Sequence, residues 1–443
     1  GILAHAGNLD VDSLEQNKGD LYLMANGGTV TNTSSVVNDG DVTITAVKDI
    51  ANKFLKAVNG SVILRAGGSI LNKTIKAGPG YVLVDAGTWL MSQLIEAVNA
   101  DTFLRARGGD VTLDKVIVEG ANAAVVSDNG NVNIGLLRAF GTVIVNAGCS
   151  VVDKDADDAA DIEGGKIDIK AFNGGVGDKE GYIETISDVL NIYADNGIYV
   201  RELSGRGNDD MNLGTVEARQ GRISLIAVDG SITDANSAAN NITGGDYLHL
   251  RAAGGIDTDM ISAGLLDAEA AADIEIDALA GDLNVGTVTS RSGDVRLDAR
   301  AGSMNLGVVN ARQGLVDLRV LDSIDDRDDD DGNGDYNNIN CTDLNLYAEL
   351  GHIGAKENYI EIDTSLSRQG EVTAKAYEDI FLYETSGDFV LGLRPNKAPG
   401  IFSVTGDIGL KAEHSIWDTD FSDDYVNIRG RHIWLRAING QVG

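Results

Sequence analysis

Proline is nearly missing from this 443-residue chain, with 3 residues, and cysteine occurs only at Cys149 and Cys341. So little proline leaves almost every backbone N–H free to donate, as strands committed to ladders require. A disulfide needs Cα atoms within about 7 Å. Two cysteines this far apart in sequence predict free thiols, so they assign no redox compartment. No apolar run reaches the 18 or so residues that span a bilayer as a helix. Basic residues are outnumbered, 35 against 68 acidic, for a net charge of -33. That excess disfavours nucleic acid and anionic membrane surfaces as partners and leaves bound cations or solubility as its reason. Also lacking are a 3.6-residue apolar period, a signal peptide and a targeting tail.

What the chain has is glycine, 55 residues of it, and one phrase written many times. GDVRLDARAGSM from Gly293 matches GDVTITAVKDI from Gly40, GSVILRAGGSI from Gly60 and GDIGLKAEHSI from Gly406. The pattern is a turn residue, a small polar or acidic residue, then apolar, any, apolar, any, alanine. Its alanines fall at Ala6, Ala25, Ala46, Ala66, Ala86 and Ala106 and continue to Ala412 and Ala437, with Val320 standing in once and a degenerate copy around Val126. The step is about twenty residues at first and stretches later, which is the signature of a solenoid. In Val295-Arg296-Leu297-Asp298-Ala299 the apolar side chains alternate, so Val295, Leu297 and Ala299 should be buried and Arg296 and Asp298 should face out. The same holds for Val42, Ile44 and Ala46.

The predicted fold class is therefore all-β, a right-handed parallel β-helix (β-solenoid) with coils of about 20 residues and longer loop insertions, eighteen or nineteen coils in all. Residues 1–443 read as a single continuous solenoid segment: 1–150 regular coils, 150–270 coils with insertions such as Val152 to Gly165, 270–320 regular coils, and 320–443 with long acidic and proline-containing insertions. The sequence opens in mid-motif at Ile2-Leu3-Ala4-His5-Ala6 and closes in mid-motif at Ile438 to Gly443. The expectation is a fragment of a longer chain or polymer, whose partners are neighbouring coils or subunits stacked end to end.

Repeats such as GDVRLDARAGSM, GRISLIAVDGSI and GSVILRAGGSI resemble those of filamentous haemagglutinin-like giant bacterial surface adhesins, over essentially the whole chain. The resemblance implies a secreted, extracellular β-helical shaft or fibre subunit of a bacterial cell surface, structural or adhesive and non-catalytic, with surface glycans or other cells as partners. It carries over no functional residues.

Equivalent side chains of successive coils stack about 4.8 Å apart. Arg65, Asp85 and Arg105 should then form a column of alternating sign, as should Glu275, Arg296 and Asp317. Beside the first runs an apolar column, Ile63, Leu83 and Phe103, continued by Ala123 and Ile144, of the kind that marks a contact surface when exposed.

The sharpest chemical motif is Asp329-Asp330-Asp331-Gly332-Asn333-Gly334-Asp335, which matches the opening of a calcium loop. Asp329, Asp331, Asn333 and Asp335 supply oxygens, Gly334 supplies the turn, and Asn340 stands where a bidentate Glu is usual. Calcium is the one cofactor expected. A second acidic run, Asp153, Asp155, Asp157 and Asp158, lacks the glycine. The alternative function is a carbohydrate-active β-helix, lyase- or hydrolase-like, or a carbohydrate-binding module, for which Asp257 and Asp259 are the closest carboxylate pair. The five histidines have no metal-ligand spacing and no nucleophile elbow occurs, so the chain is not read as an enzyme.

Overall fold

The computed structural model describes residues 1–207, 209–236, 240–261, 264–327, 337–393, 398–419 and 426–443. Among them are strands and turns but no helix, and the strands stack in parallel as a β-solenoid of about 20 turns. The chain divides into two compact units, Gly1–Leu225 and Ile226–Gly443, each described here by itself.

A representative coil of the first unit is built from the strands Val42–Ala46, Ile50–Asn52 and Leu55–Ala57. It sits in register on the next, Val42 opposite Val62, Ile44 opposite Leu64 and Ala46 opposite Ala66. Val42, Ile44 and Ala46 are buried and the threonines between them are half-exposed. Each such Val, Leu or Ile contributes about 1.5–3 kcal/mol by leaving water. The alanines share one column through Ala25, Ala46, Ala66, Ala86 and Ala106, where a small side chain fits. Ser127 takes the place in the degenerate coil and Ala147 resumes it. At the start, Ala4 rather than Ala6 lies in this column. The strand Ile2–Ala4 has ended by then, and Ala6 is exposed in the following turn.

The motif's opening pair has a structural reason at both positions. A side chain at Gly60 would place its Cβ 2.1 Å from the Gly40 carbonyl oxygen, so the turn backbones stack too closely for anything but glycine. The acidic residue that follows clips one coil to the next. The Ser61 N–H donates to Asp41 Oδ1 at 2.7 Å, Asn131 N–H to Asp110 Oδ1 at 2.7 Å and Leu315 N–H to Asp294 Oδ1 at 2.8 Å. Much of the acidic excess is thereby spent on backbone donors in turns.

One buried feature is invisible to the apolar pattern. Asn32 donates through its side chain to Asn52 Oδ1 at 2.6 Å, Asn52 donates to Asn72 Oδ1 at 2.6 Å, and Asn72 donates to Ser92 Oγ at 2.7 Å. All four residues are buried. The ladder runs through consecutive coils and stops at Val11 on one side and Leu113 on the other.

In the second unit, Ile274, Val295 and Val316 stack in register. Val295, Leu297 and Ala299 are buried, and Arg296 and Asp298 are half-exposed. Val320 does stand in the alanine column, between Ala299 and Ala348. Cys341 occupies another small-residue position, opposite Ala311, and burial pushes its thiol up. Both cysteines are free.

Candidate functional site

Asp329, Asp331, Asn333 and Asp335 lie outside the described residues. Asn340 is described, and it belongs to the strand Ile339–Ala348. Its side-chain amide donates to Asn310 Oδ1 at 2.9 Å and its Oδ1 accepts from Asn337 at 3.0 Å. Asn340 is thus a rung of a second, half-exposed amide ladder.

Three carboxylates do converge elsewhere, and one belongs to the second acidic run. Asp153 closes the strand Val151–Asp153. Asp161 directly precedes the strand Ile162–Ala171, and Glu184 is the second residue of Ile183–Ala194. Because Ile162 stacks on Thr185, Asp161 and Glu184 meet on adjacent coils. Their backbones lock the pairing: Asp161 N–H donates to the Glu184 carbonyl at 2.9 Å, and Glu184 N–H donates to Asp161 Oδ2 at 3.0 Å. Between Asp153 and Asp161 the chain makes a tight excursion. Its turn is held by Asp155 and Ala156 N–H groups donating to Asp153 Oδ1 at 3.1 and 3.0 Å, with Ala156 in the left-handed region at φ 51.

Each of the three offers a carboxylate oxygen within 4.8 Å of the others, and among the described residues no other three His, Cys, Asp or Glu groups come so close. Exposure is 8% for Asp153, 2% for Asp161 and 1% for Glu184. Arg201 is the cation at hand, 3.4 Å from Glu184 Oε1, and it divides itself with the exposed Asp158 at 2.8 Å. Burial above all pushes Asp161 and Glu184 well above the ordinary carboxylate range; the Asp153 charge adds to this at both, while at Glu184 the Arg201 guanidinium and then the Asp161 side chain oppose it. Asp153 is raised by burial too. Asp155 lies beside Asp153 and helps raise it, and the Asp157 carboxylate caps the Ala159 N–H at 2.7 Å.

The outer faces of both units carry charged and apolar side chains. In the first unit Arg65, Asp85 and Arg105 stack as expected, yet the ion pairs run sideways to turn residues, Arg105 to Asp128 at 2.6 Å and Arg107 to Asp85 at 2.5 Å. The apolar column is also present, through Ile63, Leu83, Phe103, Ala124 and Ile144. Ala124 replaces Ala123, which points inward because strands alternate, and is buried. Further along the same face a groove of about 370 Å³ is lined by Asp168, Phe172, Asn191, Tyr193 and Glu217. In the second unit Asp257 stacks on Glu275, and Asp259 on Asp277. This flank carries both signs, since Arg296 pairs with Glu275 at 2.7 Å and Arg300 pairs with Asp277.

The chain matches no family model, no curated protein and no solved structure.

Proposed function

We propose that this chain is a non-catalytic structural and adhesive β-solenoid of a bacterial exterior, a segment that presents its flanks for contact. The observation that carries the reading is how the carboxylates are employed. Acids such as Asp41, Asp110 and Asp294 are spent on clipping coil to coil, and acids on the flanks, such as Asp85 and Glu275, are paired with arginine. A glycosidase or lyase needs carboxylates held free beside a substrate cleft. The likeness of the repeats to filamentous haemagglutinin-like adhesins supports the same role and an extracellular location.

A carbohydrate-binding role is the second reading, favoured by the groove at Phe172 and Tyr193. Phe172 is 47% exposed, its ring centroid lies 6.2 Å from that of Tyr193, and Asp168, Asn191 and Glu217 rim the groove. An apolar ring beside polar acceptors suits the face of a sugar.

The test is to incubate the purified chain with a panel of acidic and neutral polysaccharides, following both retention and new reducing or unsaturated ends. Retention without cleavage, reduced by Phe172→Ala, supports glycan adhesion. Cleavage that is lost in Asp259→Asn overturns the non-catalytic reading.

A further inference from the structure

We propose that Asp153, Asp161 and Glu184 bind one divalent cation of the calcium type, which ties the 154–160 excursion to the coils on either side. The inference stands apart from the adhesive reading, because it concerns how the first unit holds together.

Two observations independent of the clustering point to a ligand. Glu184 Oε2 and Asp153 Oδ2 are buried and have no hydrogen-bond partner, although both side chains are more than nine-tenths buried. A buried polar atom without a partner is rare in a folded chain and asks for an explanation such as an ion. The other oxygen of each group is occupied, Glu184 Oε1 near Arg201 and Asp153 Oδ1 by two turn amides. The open oxygens are thus the ones left for a ligand.

Charge and donor chemistry narrow the ion. Three ionised carboxylates against one guanidinium, itself shared with Asp158, leave two negative charges for a divalent cation to cancel. The donors are all hard oxygens, which select calcium, magnesium or manganese over zinc or copper. Magnesium gives up its water reluctantly and demands a near-ideal octahedron, whereas calcium accepts irregular oxygen sets. Three carboxylates with 1–8% exposure, fixed by turns and adjacent coils, suit the more tolerant ion. Three protein ligands leave the remaining positions to water, as a site of modest affinity in a calcium-rich medium allows.

The competing account is that protons, not a metal, hold the carboxylates together, and the experiment separates the two. The full chain, stripped with chelator, is titrated with calcium chloride and separately with magnesium chloride by calorimetry, and melted with and without about 5 mM calcium. Expected are one calcium ion per chain at this site, weaker magnesium binding and a higher melting temperature with calcium. Glu184→Gln should weaken calcium at least about tenfold and lose the calcium-dependent rise in melting temperature. Asp331→Ala should leave this response in place, which separates it from any ion taken by residues 329–335. Should Glu184→Gln not fold, amide exchange of the wild-type segment 153–161 gives the answer, slowed by calcium if the ion is there. No calcium heat and no change in exchange would establish the proton account and overturn the proposal, as would a calcium response that survives both Glu184→Gln and Asp161→Asn.

Discussion

Two stretches of the first unit hide polar side chains from water in opposite ways. In the coils of even step, Asn32, Asn52 and Asn72 pass one hydrogen bond each along the stack. In the coils that carry the 154–160 excursion, three carboxylates are buried together, and two of their oxygens have no hydrogen-bond partner. A primary amide both donates and accepts, so the same residue can repeat coil after coil and satisfy itself. An ionised carboxylate only accepts, and stacking one on another leaves both without a donor and adds repulsion. Evenly spaced coils therefore sustain an amide ladder, while carboxylates need a foreign donor, a proton or a cation. Glu202 and Glu384 show the foreign-donor solution. Glu202 accepts from the Ser187 N–H and the Thr185 hydroxyl, and Glu384 from the N–H and hydroxyl of Thr364.

The comparison breaks most severely if the ladder is given the chemistry of the other stretch. Asn52→Asp removes the donor to Asn72 and buries an uncompensated charge, and should cost roughly 3–5 kcal/mol in urea unfolding at pH 8. The loss should shrink at pH 4, where the new acid can hold a proton. A substitution no worse than Asn52→Ala at both pH values would deny the ladder its donor role.

Glu384 sharpens the same contrast through pH. Burial, with Asp363 adding to it, pushes Glu384 from the ordinary glutamate value of 4.5 up to about 7 against the donors at Thr364 and Gly387. Cys341 is the other titratable group facing it, and its raised thiol stays neutral in this range. The folded chain therefore holds this proton more tightly than the unfolded chain. The stabilisation is complete below about pH 4.5 and is lost as the pH climbs through 7, a change of about 3 kcal/mol. Other carboxylates titrate over the same range, so the quantity to measure is the difference in pH profile between the wild type and Glu384→Gln, which should be flatter.

A smaller effect tests the small-residue column where it recurs in the second unit. Ala299→Leu should overpack its small-residue position, between Ala278 and Val320, and cost about 1–3 kcal/mol. A neutral result in thermal melting would mean that the cross-section there has room to spare. Smallest of all, Arg105→Ala deletes an exposed ion pair with Asp128 and should change stability by about 0–1 kcal/mol, less still in high salt.

The strands were legible because alternation has a period of two and needs only a few residues to declare itself. Glycine marked the turns because the stacked backbones exclude a Cβ. The asparagine ladder left a signal that went unused: Asn32, Asn52 and Asn72 recur at a constant step, each two residues after an aliphatic one. Asparagine is common in turns, so its recurrence alone does not distinguish a buried rung from a turn. Ala6 misled for a similar reason, since the motif spells alanine twice within three residues and only the register with Ala25 chooses between them. The carboxylate trio was half visible, through Asp153 in its acidic run, but Asp161 and Glu184 lie in different coils of unequal length. No fixed spacing links them.

The sequence by itself determined the architecture, because side-chain alternation, small corner residues and tight turns act locally and repeat. It also determined that successive coils stack in parallel, since equivalent phrases bury equivalent faces. Only the tertiary structure decided which of the 68 acidic residues are turn clips, which are paired on a flank and which are buried together. That assignment depends on how far each excursion shifts the chain before the next coil begins. A shift of one residue turns a side chain from water to core, and the length of a loop does not reveal where its ends will land.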